Sequence, residues 1–144
     1  MFKHILIPTD GSALSAETVQ HGVDFARETG ARITFMTAIL PFPHSPLAEY
    51  ARQTHALYDA ETKKVADARL DEAAAIAAAA GVPSNSRSYH DWHPHEAILR
   101  AAEEEQCDVI FMASHGRSGA AGMLLGSETN KVLTHGKLPV LVYR

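Results

Sequence analysis

Residues 109–129 read VIFMASHGRSGAAGMLLGSET and combine a short apolar run with a loop rich in glycine. The run VIFMA, at residues 109–113, is typical of a buried parallel strand. Glycines follow at positions 116, 119, 122 and 126, and Gly126-Ser127 can start a helix. Glycine has no Cβ, so the main chain of such a strand–loop–helix segment can approach a phosphate closely with its N–H groups. The segment therefore predicts an anion-binding loop at the end of a parallel strand.

The rest of the chain alternates strand patterns with helix patterns. Strands are predicted at residues 3–8, 31–40, 84–89, 107–113 and 138–143, and helices at residues 14–28, 47–80, 94–105 and 127–135. This alternation predicts an α/β fold, with one open and mostly parallel five-stranded sheet and helices on both faces, in a single domain of residues 1–144. Ligands of open parallel sheets bind beyond the carboxyl ends of the strands. We therefore expect Thr9-Asp10 and residues 113–116, which follow two apolar strands, to share one crevice.

Composition excludes several classes of function. The chain has 144 residues, of which 46% are hydrophobic and 21% charged, as is usual for a globular domain. A net charge of −4 argues against nucleic-acid binding and against a basic membrane-surface helix. No apolar stretch is long enough for a signal peptide or a bilayer span. Cys107 is the single cysteine, so no intramolecular disulfide is expected, and we predict a cytoplasmic protein with Cys107 as a buried small hydrophobe.

Three segments resemble the universal stress protein (UspA-like) family. They are ILIPTDGS at residues 5–12, the glycine-rich segment at residues 112–127, and KVLTHGKLPVLVYR at residues 131–144. The resemblance covers the whole chain, and these motifs together are far more specific than a lone glycine motif. It implies a Rossmann-like sheet of the adenine nucleotide alpha hydrolase type, with strand order 3-2-1-4-5, and a regulatory role in a stress response.

The ATP-binding members of this family carry the pattern G-x2-G-x9-G-[ST]. Gly116 and Gly126-Ser127 match its second part, whereas Ala113 replaces its first glycine. Alanine excludes only positive φ, so nucleotide binding is expected to survive, with some loss of affinity, if the backbone at Ala113 has negative φ. The resemblance thus implies ATP, or else ADP or AMP, with Mg²⁺ or Mn²⁺ arriving on the nucleotide rather than in a dedicated protein site.

The resemblance also implies a role for each residue of the site. Asp10 would bind the ribose hydroxyls, and the phosphates would be held by backbone N–H groups at Gly116 and at residues 126–128. Glu128, in the first turn of a helix, would compete with a bound anion. The full set of nucleotide-binding residues implied is Pro8, Thr9, Asp10, Ala38, Met112, Ala113, His115, Gly116, Arg117, Gly126, Ser127, Glu128 and Thr129.

The family also implies a homodimer in which the last strands of two copies pair antiparallel across a two-fold axis. The segment Pro139 to Tyr143 (PVLVY) agrees with this, because it is apolar on both faces and an unpaired edge strand invites association.

Two other functions remain open. Part of the family lacks the glycine motif and does not bind ATP, so a stress-associated dimeric binding protein without a nucleotide is one alternative. A slow Mg²⁺-dependent ATPase is the other, although the chain has neither a Walker lysine nor a G-x-S-x-G motif, and no catalytic residue is assigned.

The histidines suggest no metal site. His90, His93 and His95 are close in sequence, but Pro94 interrupts them at a turn, so surface or capping positions are expected rather than zinc ligands. His4 is expected to face solvent or to cap an element.

Overall fold

The computed structural model describes residues 1–43, 48–116 and 124–144 of the chain. In chain order the elements are β1 (His4–Pro8), α1 (Ala13–Thr29), β2 (Arg32–Ile39), α2 (Ala48–Ala79), β3 (Ser84–His90), α3 (Pro94–Glu104), β4 (Val109–Ala113), α4 (Ser127–His135) and β5 (Val140–Tyr143). Every predicted element is present, and its ends differ from the prediction by at most two residues.

The five strands form one parallel sheet in the order β3-β2-β1-β4-β5, which confirms the expected α/β fold and strand order. β1 lies in the middle and pairs with β2 on one side and with β4 on the other, so that Ile5 lies between Ile33 and Val109. The chain runs outward from β1 to β3 and then returns to the other side at β4. This reversal creates a crevice beyond the carboxyl ends of β1 and β4.

Alternate residues of the central strands point to opposite faces of the sheet, as the two-residue period of a strand requires. Ile5, Ile7 and Phe111 pack into the cluster that α1 and α2 cover. Leu6 and Ile110 pack into the second cluster, which α3 and α4 cover. The side chains of Ile5, Leu6, Ile7 and Ile110 are fully buried. The prediction of helices on both faces of the sheet is confirmed.

β3 is a polar edge strand that is held to α3 by side chains. Asn85 Nδ2 donates to Glu105 Oε2 at 2.9 Å, and Arg87 Nε lies 2.7 Å from Glu105 Oε1. Tyr89 Oη donates to Glu104 Oε2 at 2.7 Å. These hydrogen bonds pair the polar side chains of β3 with α3, because the strand has few apolar side chains to bury.

The prediction that His4 faces solvent or caps an element is wrong, because only 4% of the residue is exposed. Its Nε2 lies 2.7 Å from Thr34 Oγ1, and that hydroxyl donates its own proton to Asn85 Oδ1 at 2.6 Å. His4 Nε2 therefore carries a proton and donates to Thr34. The partner comes from the neighbouring strand, so no local pattern in the sequence pointed to it.

Burial lowers the pKa of His4, and the positive charge of Arg32 acts in the same direction. The carboxylates of Glu105 and Asp108 oppose this shift without reversing it. A histidine whose pKa is lower in the folded state binds fewer protons than it does in the unfolded chain. Its protonation therefore destabilises the fold as the pH falls below about 6.5.

We expect the substitution His4→Gln to flatten the dependence of stability on pH in this range. The wild type should lose free energy of unfolding between about pH 7.5 and about pH 5.5 through this group, whereas the variant should lose less. Urea unfolding at several pH values measures the difference, with exposed His90→Gln as the control. Parallel stability curves for the wild type and His4→Gln would contradict the assignment.

Candidate functional site

A cavity of about 600 Å³ opens at the carboxyl ends of β1, β2 and β4, between α2 and the start of α4. Its walls include all the predicted site residues that the structure describes, namely Pro8, Thr9, Asp10, Ala38, Met112, Ala113, His115, Gly116, Gly126, Ser127, Glu128 and Thr129. Arg117, the remaining predicted residue, lies outside the described residues. The structure thus brings together residues that are more than a hundred positions apart in the chain.

The turn after β1 is held by hydrogen bonds that fix the Asp10 carboxylate. Thr9 N–H donates to Met36 O at 2.8 Å, and Ser15 Oγ donates to Thr9 Oγ1 at 2.9 Å. Asp10 Oδ1 accepts from Ser12 N–H at 2.9 Å, which makes an Asx turn. Its other oxygen, Oδ2, lies against Gly116, where any Cβ would overlap it. Asp10 therefore both stabilises its turn and faces the loop that follows β4.

The start of α4 is bound directly to the end of β4. Gly126 N–H donates to Ser114 O at 2.6 Å, and Thr129 Oγ1 donates to Ala113 O at 2.9 Å. A Cβ on Gly126 would stand only 3.0 Å from His115 Cα. The need for glycine is thus explained, but the predicted use of the Gly126 amide as a phosphate donor is not supported, because that amide is already bonded to Ser114.

The first turn of α4 lines this cavity with Ser127, Glu128 and Thr129. Gly126 is the N-cap of α4 and, having no side chain, provides no cap hydrogen bond. By contrast, Ser12 Oγ caps α1 by accepting from Ser15 N–H at 3.1 Å. Helix N-termini without a side-chain cap favour anions, through both their N–H groups and the helix dipole.

Glu128 does not turn its carboxylate toward that helix start. Its Oε2 accepts from the His95 N–H at 2.7 Å and lies 3.0 Å from His95 Nδ1, and Lys131 Nζ is 3.3 Å from Oε1. Burial pushes the pKa of Glu128 up, but the bonds from His95 and Lys131 outweigh it and lower the pKa. The carboxylate is therefore ionised, caps the N-terminus of α3, and is withdrawn from the competition with an anion that the sequence suggested.

His95 also departs from the expected surface position, because it is only 9% exposed and bonds to Glu128. His90 and His93 are exposed, as expected. Over residues 1–43, 48–116 and 124–144, no group of three or more histidine, cysteine, aspartate or glutamate side chains could hold a metal ion.

Ala113 ends β4, and its φ is not positive. Among the non-glycine residues that the structure describes, only Gln106 has a positive φ. The position of the first glycine in the family pattern thus has ordinary strand geometry in this chain, and this geometry accepts alanine.

One wall of the cavity was missed by sequence reasoning. It is a stripe on α2, which we call the α2 wall, formed by Tyr58, Glu61, Thr62, Val65, Ala66 and Arg69. Their spacing of three or four residues is the signal that was available. α2 is 32 residues long with polar residues on all sides, so the sequence does not reveal which of its faces covers a cavity.

Comparisons with known proteins agree with this architecture. The model of the universal stress protein family matches residues 1–144. A universal stress protein of Thermus aquaticus is 31% identical over the full length of both chains. The solved structure of the hypothetical protein MJ0577, from Methanocaldococcus jannaschii, has a TM-score of 0.83 at 25% identity, covering 99% of this chain and 95% of that one. A universal stress protein solved in complex with cAMP has a TM-score of 0.72 at 28% identity, covering 99% and 97% of the two chains.

No helix within the described ranges is both long enough and apolar enough to cross a bilayer.

We expect Glu128→Ala to lower the free energy of unfolding by about 1 kcal/mol, as loss of an N-cap does. The lowered pKa of Glu128 means that this stabilisation is present above about pH 4.5 and disappears as the pH falls further. Denaturant unfolding at neutral and acidic pH tests both statements. Glu96→Ala, which removes an exposed acid from the first turn of α3, is the matched control. Equal losses in the two variants would contradict the capping role.

Proposed function

We propose that this chain, which belongs to the universal stress protein family, binds an adenine nucleotide in the cavity beyond β1, β2 and β4. The observation that carries the proposal is that the first turn of α4, which has no side-chain cap, lines the same cavity as the Asp10 carboxylate. The cavity thus has amide donors that favour an anion and a carboxylate that can accept from hydroxyl groups. A nucleotide carries both kinds of group, in its phosphates and in its ribose.

The phosphates are proposed to lie at the first turn of α4. The N–H groups of residues 127–129 supply donors there. Gly116 and Gly126 also line the cavity, and neither carries a side chain that could block a phosphate. His115 lines the same part of the cavity. Glu128 bonds to His95, so it leaves this position accessible to negative charge.

The ribose is proposed to lie at Asp10, and the base next to Pro8, Thr9 and Ala38. Asp10 Oδ1 is bonded within its turn, and Oδ2 lies against Gly116 at the wall of the cavity. The relative solved with cAMP supports an adenine nucleotide as the ligand class. The unstrained backbone at Ala113 supports binding despite the missing glycine.

The specific ligand proposed is ATP, or else ADP or AMP, with Mg²⁺ or Mn²⁺ bound to its phosphates. Asp10 and Glu61 give this cavity acidic side chains, which suit a metal-neutralised nucleotide better than a free polyanion. The metal would supply charge neutralisation on the phosphates. The proposed role is regulatory, in a cytoplasmic stress response, with nucleotide occupancy altering the loops around the cavity.

A homodimer through Pro139 to Tyr143 is part of the proposal. β5 is an edge strand of the sheet, and its residues are only partly buried within one chain. Antiparallel pairing with β5 of a second copy would satisfy this edge and cover its apolar side chains.

We expect Asp10→Asn to raise the Kd for ATP roughly thirtyfold, because a hydrogen bond from a hydroxyl to a carboxylate contributes about 2 kcal/mol. The variant should also distinguish ATP from 2′-deoxy-ATP less than the wild type does. Asparagine keeps the oxygen that the Asx turn needs. Asp91→Asn is the matched control, since Asp91 Oδ1 accepts from His93 N–H at 2.9 Å in a similar turn outside the cavity. Calorimetric titration measures both effects, and unchanged ATP affinity would refute the ribose assignment.

We expect Ser127→Asp to raise the Kd for ATP about a hundredfold or more, because it places a carboxylate among the phosphate donors. The fold should remain intact, since an acidic residue in the first turn of a helix is favourable. This position is a better test than Gly126, where any side chain would press on His115.

Ser127→Asn is the neutral control, and adenosine is the control ligand, because it has no phosphate to repel. Equal ATP affinity in the Asp and Asn variants would overturn the phosphate assignment. If the wild type bound no adenine nucleotide at millimolar concentration, the alternative of a nucleotide-free stress protein would replace the proposal.

A further inference from the structure

The α2 wall has two ends whose positions in the cavity are fixed by contacts. At one end, Tyr58 Oη donates to Leu40 O at 2.8 Å, just beyond β2. At the other end, Arg69 lies over the β1–α1 turn, where a Cβ on Gly11 would stand 2.7 Å from Arg69 Nε. The eleven-residue step between them spans about 16 Å of helix. The wall thus runs from the turn that holds Asp10 to the outer end of β2.

The α2 wall thus runs parallel to the long axis of a nucleoside in the proposed site. A role of this wall in binding the base rests on the proposed function. With the ribose at Asp10 and the phosphates toward α4, the base extends toward Ala38 and Leu40. The middle of the wall offers Val65 and Ala66 to the ring. Val65 is 46% exposed and Leu40 52% exposed, although both are apolar and line the cavity. A flat heterocycle between them would cover this surface.

Thr62 lies one turn beyond Val65 and Ala66, toward Tyr58, where the outer edge of such a base would end. Its hydroxyl donates to Tyr58 O at 2.8 Å, within its own helix, and lies 3.3 Å from Asp59 O. A hydroxyl has a single proton, so toward the cavity Thr62 Oγ1 can only accept. The neighbouring Glu61 carboxylate, when ionised, is also an acceptor only.

We propose that Thr62 selects the base, by accepting a hydrogen bond from an amino group at the 6-position of a purine. Adenine has a donor at that position, whereas guanine has a carbonyl oxygen whose lone pairs would face the lone pairs of Thr62. The hydrogen bond from Thr62 Oγ1 to Tyr58 O enforces this preference, because it uses the one proton that the hydroxyl could otherwise donate to the carbonyl oxygen of guanine. Thr62 is therefore a specificity residue on a helix that the glycine motif does not include.

The test compares three ligands, namely ATP, purine riboside 5′-triphosphate (which lacks the amino group) and GTP, by calorimetric titration. The wild type should bind ATP about tenfold more tightly than purine riboside 5′-triphosphate, as a neutral hydrogen bond implies. Thr62→Val should reduce this ratio of affinities to about one, and it should also reduce the preference for ATP over GTP. Thr62→Ser, which retains the hydroxyl, should restore both ratios.

Thr134→Val is the matched control, because Thr134 Oγ1 makes the same type of bond, to Asn130 O at 2.8 Å, away from the cavity. That variant should leave all ratios unchanged. If Thr62→Val weakened the binding of all three ligands equally, or of none, the role of Thr62 in base selection would be overturned. The proposal that the chain binds a nucleotide would not be affected. If the wild type bound none of the three, the proposed function would fail together with this inference.

Discussion

The parallel pairing of β1 with both β2 and β4 is the constraint on which the rest of the molecule depends. It places the ends of three strands side by side, so that Asp10, Ala38 and Gly116 line one cavity. The fully buried side chains of β1 prevent the strand from slipping, since a shift by one residue would move Ile5 and Ile7 to the opposite face. The geometry of the site is therefore set by the core rather than by the loops that surround it.

The helices that begin at this edge of the sheet differ in how their N-termini are capped. α1 is capped by Ser12, from its own chain segment, and α3 by Glu128, from α4. α4 begins at a glycine that provides no cap. The bond between His95 and Glu128 has two effects at once, because it stabilises the start of α3 and holds the Glu128 carboxylate away from the start of α4. An acidic residue next to a proposed phosphate site is thereby compatible with anion binding.

Much of this could be predicted from the sequence, for physical reasons that differ between elements. Strands such as residues 109–113 are apolar throughout, and glycine ends α1 with φ of +70° at Gly30, so local patterns located both. The remainder depends on contacts between distant residues. His4 is buried because Thr34 and Asn85 complete a polar row across three strands, and the Gly126 amide is occupied by Ser114. The face that α2 turns to the cavity is set by how the long helix packs on the sheet, and its own composition does not reveal it.

The amide of Ser114 donates to Tyr143 O at 2.7 Å, while its carbonyl accepts from Gly126. A single residue thus joins the start of α4 to the far margin of the sheet. Any second chain that adds a strand alongside β5 would contact a backbone only two hydrogen bonds removed from the start of α4, where the phosphates are proposed to bind. Mechanical communication between the cavities of associated copies would then require no moving domain, only a small shift of the main chain at that residue.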